Sequence, residues 1–250
     1  MHSKTMVLKI VLLLSLTVGL VGVSACSNTN DSEKTIVTSF YPIEFVAKRI
    51  AGKDFKVVNL TPQGAEPHDI ELSPNKTQLL QEAKLAIVLG GGFQPAIEKT
   101  AESRDDETLN LMNKLYGDKK QDPHIWLDPS LMQKVVKLVT EQIKKINPEN
   151  TDLYSERSEL LIQDLQNLDK KYKEGLSQCV SRTFVTSHDA FSRLATRYGL
   201  RQESIAGISP ENEPSPARLN ELKKLVEEKN VSVIFTEELV SDKVAKSLSS

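Results

Sequence analysis

The sequence predicts an α/β protein of two lobes, each a mostly parallel sheet with flanking helices, joined by one long rigid helix. Three observations predict it. Between residues 35 and 89, short β-branched or apolar runs alternate with helical patterns, the rhythm that builds a parallel sheet. A second series of the same kind starts at Arg182. Between the two lies a stretch from Thr151 to Gln178 with one apolar stripe, Leu161, Leu165, Leu168, Tyr172 and Leu176. A helix of about 28 residues spans about 42 Å, longer than a small domain needs. A connector between lobes fits that length; a long helix lying across a single domain is the alternative.

The elements follow in order. Thr35 to Tyr41 reads as a strand, and Ile43 to Ile50 as a helix with apolar residues at 43, 46, 47 and 50, ended by Gly52. Lys56 to Leu60 is a second strand. The Pro- and Gly-containing stretch from Thr61 to His68 is a loop. Ser73-Pro74 supplies an N-cap and a first-turn proline for a helix to Ala83. Leu85 to Leu89 is a continuous apolar run, as in a strand buried on both faces, and Gly90-Gly91-Gly92 ends it. Residues 130–146 form a helix with a face at Leu131, Val135, Leu138 and Ile146, broken by Asn147-Pro148. After the long helix come a strand at Arg182 to Thr186, a helix at Ala190 to Tyr198 and a short strand at Glu203 to Ala206. A helix at Ala217 to Asn230, a strand at Val231 to Phe235 and a partial helix to Ser250 complete the series.

The first residues bear on location. Lys4 and Lys9 precede an apolar run from Ile10 to Val23, too short for a membrane span and arranged like a secretory signal. Val23-Ser24-Ala25-Cys26 resembles a bacterial lipobox, in which the Cys becomes the lipid-bearing N-terminus. The polar stretch from Ser27 to Lys34 reads as a tether. An ordinary cleaved signal with an incidental Cys is the alternative. The chain thus divides into a signal peptide (1–25), a lipid-anchored tether (26–34), an N-terminal lobe (35–147), a connecting helix (148–179) and a C-terminal lobe (180–250). With few strands and one short closing helix, that last lobe reads as cut short. The expected place is outside the cytoplasmic membrane, at the cell surface or in the periplasm, held through Cys26.

Composition excludes several functions. The net charge of −2 becomes about −4 once Lys4 and Lys9 leave with the signal, and no Lys/Arg run is present. That argues against nucleic acid. Cys26 and Cys179 are the two cysteines; with Cys26 lipidated, neither an internal disulfide nor a cysteine zinc site is available. Any metal site must use imidazole and carboxylate.

Three of the four histidines suggest such a site; the fourth, His2, lies in the signal. His68 sits in a loop after a predicted strand, where parallel sheets bind ligands. His188, in Ser187-His188-Asp189, occupies the same kind of place. His124 lies in Asp122-Pro123-His124-Ile125-Trp126-Leu127-Asp128-Pro129. Each has an acid one to four residues downstream: Asp69, Asp128 and Asp189. These, with Glu237, are the carboxylates expected to orient the rings. Taken singly, each histidine has a plainer reading: His68 as a solvated loop residue, His124 as part of a packed turn, His188 as a neighbour of a helix cap.

The order of motifs goes further. Thr38-Ser39-Phe40-Tyr41-Pro42, Gly64-Ala65-Glu66-Pro67-His68-Asp69, the segment from Asp122 to Pro129, Ser187-His188-Asp189-Ala190-Phe191 and Ile205-Ala206-Gly207-Ile208-Ser209-Pro210 resemble the metal-specific solute-binding lipoproteins of bacterial zinc or manganese ABC importers. The resemblance covers residues 35–250. It implies a metal held in the cleft between the lobes, with His68 and His124 from the first lobe and His188 from the second, each at a strand end. It implies a monomer that receives a metal ion and passes it to an ABC permease, and no enzyme activity. The family's fourth ligand, an aspartate, is expected beyond residue 250, and Glu237 or Asp189 could substitute. Ala65 and Gln94 depart from residues common in relatives, bulkier at 65 and Glu at 94. Histidine at 188 implies Zn2+, with Mn2+ as the alternative. No His-rich loop lies between Gly92 and Asp122. A surface adhesin and a zinc hydrolase are the rival functions; no His-Glu-x-x-His motif supports the latter.

Overall fold

A computed structural model describes residues 34–229, 231, 233–239 and 241–248; the predicted signal and Cys26 lie outside them. β1 (Thr35–Thr38), β2 (Lys56–Asn59), β3 (Leu85–Val88) and β4 (Glu107–Asn110) form one sheet in the order β2-β1-β3-β4. All three pairings are parallel, with Val37 opposite Val58 and Ala86. Side chains of a strand alternate between faces, and here both faces are covered. Ile36, Leu85 and Ile87 enter one core, while Val37, Ala86 and Val88 enter the other. That is why residues 85–89 can be apolar without a break.

The larger core lies under α1 (Tyr41–Ala51), α5 (Pro129–Ile146) and α6 (Thr151–Ser177). α1 buries Ile43, Val46, Ala47 and Ile50, the helical stripe read from sequence. α5 buries Leu131, Val135, Val136, Val139 and Ile143, a wider face than its four predicted positions, of which Leu138 and Ile146 are only partly buried. The opposite core is closed by α2 (Pro74–Glu82) and α3 (Pro95–Glu102), through Leu80 and Ile97.

Between Gly92 and Asp122 the sequence shows no clear element, yet α3, β4 and α4 (Leu111–Tyr116) lie there. β4 is an edge strand of four residues, Glu-Thr-Leu-Asn, with Leu109 alone fully buried. Such a segment has no apolar run to detect. Gly90 has a clear reason: its φ is 82°, and a Cβ there would fall 2.0 Å from Asn110 Oδ1. Only glycine turns the chain at that point against the end of β4.

α6 starts on the first lobe. Tyr154, Ser158 and Leu161 are buried there, Tyr154 donates to Asp54 at 2.9 Å, and Arg157 donates to the carbonyls of Ile50 and Ala51. Beyond Leu165 the stripe leaves this core: Leu168 is 42% exposed, and Tyr172 stacks on Tyr198 of the second lobe at 5.4 Å. The long helix therefore joins two lobes, as its length implies. The second sheet runs β6-β5-β7, again parallel, from β5 (Thr183–Thr186), β6 (Arg201–Ser204) and β7 (Ile234–Phe235). α8 (Pro216–Glu228) and α9 (Lys243–Leu248) cover one side of it around Val185 and Leu222.

α7 (Ser192–Tyr198) starts two residues later than predicted, and β6 lies two residues earlier. Gly199 is left-handed, and Leu200 N–H returns to the Ala195 carbonyl. This compact C-cap delivers the chain to the sheet at Arg201.

Candidate metal centre

Glu66, Pro67 and His68 form one local unit. Pro67 opens a 3₁₀ turn over Pro67–Asp69. The residue before a proline is held extended, as Glu66 is, and its side chain caps the turn: Oε1 accepts from His68 N at 3.2 Å and lies 2.5 Å from His68 Nδ1. Asp122, Pro123 and His124 repeat the arrangement. Asp122 Oδ1 accepts from His124 N at 3.0 Å and from Nδ1 at 2.7 Å. Acidic side chains readily bond the backbone two residues on; here the same oxygen also takes the ring.

His188 reaches its carboxylate differently. β5 and β7 are parallel neighbours with Thr186 opposite Phe235. Two residues further along each strand, His188 meets Glu237. Glu237 Oε1 lies 2.5 Å from His188 Nδ1 and accepts from Ser187 Oγ at 2.5 Å.

An imidazole that gives its Nδ1–H to a carboxylate presents Nε2 as the ligand atom. The three Nε2 atoms converge. His124 Nε2 is 3.3 Å from His68 Nε2 and 3.3 Å from His188 Nε2. The three potential ligand atoms all lie within 4.8 Å of one another. Two zinc–nitrogen bonds of about 2.0–2.1 Å at the tetrahedral angle put their nitrogens about 3.3 Å apart. Facing lone pairs at that distance repel unless a cation lies between them. The side chains of His68, His124 and His188 are 9%, 0% and 5% exposed, so water does little to relieve the repulsion.

The carboxylates are charged. Burial pushes Glu66, Asp122 and Glu237 upward, but the hydrogen bonds from His68, His124 and His188 outweigh it, and all three lie below the usual carboxylate range. Three anions behind the three rings favour a divalent cation in front of them. Phe93 and Trp126 form an apolar wall behind the rings: Phe93 meets His68 edge-on at 4.4 Å, and Trp126 lies 5.1 Å from His124. Phe40 joins them at 5.1 and 4.8 Å. Gln94, buried beside this wall, donates its amide to Thr61 Oγ1 and to the Pro67 carbonyl, fastening the His68 turn to the sheet. A glutamate there could do so only when protonated.

The structure brings together His68, His124, His188 and Glu237 as the sequence suggests. It corrects the other carboxylates. Asp128 caps α5, accepting from Ser130 N at 2.8 Å and from Leu131 N at 3.4 Å. Asp189 accepts from Ser192 Oγ. Asp69 borders the cleft beside His68, but no hydrogen bond joins them. Sequence proximity downstream misled, because the ring partners sit two residues upstream across a proline, or on a neighbouring strand. The repeated pattern acid-Pro-His was the available signal for Glu66 and Asp122. His124 also differs from expectation in following α4 rather than a strand.

A two-lobed α/β fold with ligand atoms converging from both lobes defines a cleft-type solute-binding protein. The model of the family described as zinc-uptake complex component A, periplasmic (ZnuA), matches residues 36–250, and the chain belongs to that family. It is a family of solute-binding transport proteins and not of enzymes. The high-affinity zinc uptake system protein ZnuA of Bacillus subtilis (strain 168) is 35% identical over 91% of this chain and 81% of its own length. The zinc-binding lipoprotein AdcA of Streptococcus pneumoniae (strain ATCC BAA-255 / R6) is 33% identical over 90% of this chain, which spans 50% of that relative. Among solved structures, the laminin binding protein Lmb of Streptococcus agalactiae, described as bifunctional with adhesin and metal transporting activity, aligns with a TM-score of 0.80 at 31% identity. That alignment covers 86% of this chain and 84% of Lmb.

Proposed function

We propose that this chain captures Zn2+ outside the cytoplasmic membrane and delivers it to the permease of an ABC importer, with His68, His124 and His188 as metal ligands. The observation that carries the reading is the convergence of three Nε2 atoms, that of His124 lying 3.3 Å from each of the other two, with each ring held from behind by a carboxylate. An all-imidazole set suits zinc better than the harder manganese ion. The lipobox-like segment ending at Cys26 and the name of the lipoprotein AdcA support a lipid anchor. Glu66, Asp122 and Glu237 each bond the ring nitrogen that faces away from the converging Nε2 atoms, an orienting position rather than that of a general base on a metal-bound water.

Metal-stripped protein titrated with Zn2+ tests the reading. A ligand at 100 times its Kd stabilises a fold by about 2.7 kcal/mol, so the melting temperature should rise by several degrees and the rise should vanish in His68→Ala. Lowering the pH should weaken binding, because protons compete with zinc for Nε2. No zinc-dependent rise, with His68→Ala indistinguishable from wild type, sinks the reading. The likeness to Lmb favours one second reading, adhesion to host matrix. Laminin binding that persists after all three histidines are changed would support it.

A further inference from the structure

α7 belongs to the second lobe, yet Arg193 near its start finds its partners in the first. Its Nε and Nη2 both donate to the backbone carbonyl of Asp122, Nε at 3.1 Å. Nε also lies 3.5 Å from Asp122 Oδ2, and the guanidinium sits over the Tyr116 ring, 5.4 Å from its centroid. The Arg193 side chain is 16% exposed, so these charge-assisted contacts are made largely away from water, where they are strong.

Asp122 is the residue that holds His124. Its Oδ1 is used by the His124 ring and backbone. Its Oδ2 is buried and has no hydrogen-bond partner among the described residues, so the guanidinium is the cation that faces it. The other two orienting carboxylates are held within one lobe: Glu66 by its own turn, Glu237 by Ser187. Among the described residues, Asp122 alone of the three is gripped across the cleft.

We propose that Arg193 is a positioning residue of the metal site: it clamps Asp122 from the opposite lobe and makes the orientation of His124, and retention of the metal, depend on the lobes being together. This rests on the zinc-binding reading. For zinc to leave, His188 must part from His68 and His124. The same separation draws Arg193 off Asp122 and loosens the anchor of the His124 ring. Lobe separation and ligand release are thereby coupled through one side chain.

Zinc release from the full chain into a chromogenic chelator tests this, together with the absorption spectrum of the Co2+ form. Loss of hydrogen bonds to a charged group should speed release about tenfold in Arg193→Gln. The Co2+ bands should shift as the His124 ring turns. Arg193→Lys keeps the charge but not the fork, and should recover part of the effect. Arg197→Gln, on the same helix, removes the pair with Asp169 and a bond across to Ser130 of the first lobe without touching Asp122, and should lower the melting temperature while speeding release far less than Arg193→Gln. Arg193→Gln with wild-type release and spectrum overturns the proposal. So does Arg197→Gln releasing as fast as Arg193→Gln, which would indicate general adhesion of the lobes. A wild-type chain that binds no zinc overturns the functional reading itself, and is told apart by the titration above.

Discussion

Glu237 is held at its place by a neighbouring strand rather than by its own loop. Its Oε1 accepts from the Ser187 hydroxyl and meets His188 Nδ1 together. Loss of such a partner typically costs 10- to 100-fold in metal affinity. Glu237→Gln should therefore weaken zinc binding by about that factor, measured by competition with a chelator of known affinity. Asp189→Asn should leave the affinity near that of wild type, because Asp189 bonds Ser192 and no imidazole. Equal losses in the two variants would refute the assignment of orienting carboxylates. The histidines themselves were legible in the sequence less singly, where each has a plainer reading, than through the order of the motifs that carry them. Their partners were only half legible. Glu66 and Asp122 follow a local rule, acid two residues before the histidine across a proline, whereas the pairing of Glu237 depends on which strands are neighbours.

At the scale of elements, α5 begins at a side chain that serves two purposes. Asp128 accepts from the exposed backbone N–H groups of the first turn, and Arg197 of α7 lies 3.5 Å away. Replacing an N-cap aspartate by alanine costs about 1 kcal/mol. Asp128→Ala should lower the melting temperature accordingly while leaving zinc affinity unchanged; a large loss of affinity would mean that the cap belongs to the site. Long elements with a strong stripe, such as α1 and α6, were legible because periodicity accumulates over many residues. β4 was not, because four residues on a sheet edge carry too little pattern. Nor did the stripe of α6 tell that its first half packs on one lobe while Tyr172 reaches the other.

Across the whole molecule, one ion pair ties the connector to the second lobe and others brace that lobe internally. Hydrogen bonds from Arg197 hold the Asp169 carboxyl below its ordinary range, and Tyr198 adds a bond at 2.8 Å. Burial pushes Glu203 upward, but Arg218 and Arg201 outweigh it and hold it low. A carboxylate with a depressed folded pKa contributes stability above its unfolded pKa, about 3.9 for Asp and 4.3 for Glu. That stability is lost as the pH falls through the lower folded value. Acid titration monitored by circular dichroism should show the wild type losing stability as the pH drops below about 4. Asp169→Asn should be less stable at neutral pH and flatter across the acid range. Parallel curves for the two proteins would exclude this pair as a source of the slope.

The sequence by itself determined the parallel α/β plan, the long connector and three candidate ligands, because hydrophobic period and turn chemistry are local properties. Their meeting in one cleft was implied only by resemblance. The tertiary structure decided that Glu237 stands behind His188 and that Arg193 crosses the cleft to Asp122. Those choices depend on strand order and on how two lobes face each other, and contacts between residues tens of positions apart leave no period in the chain.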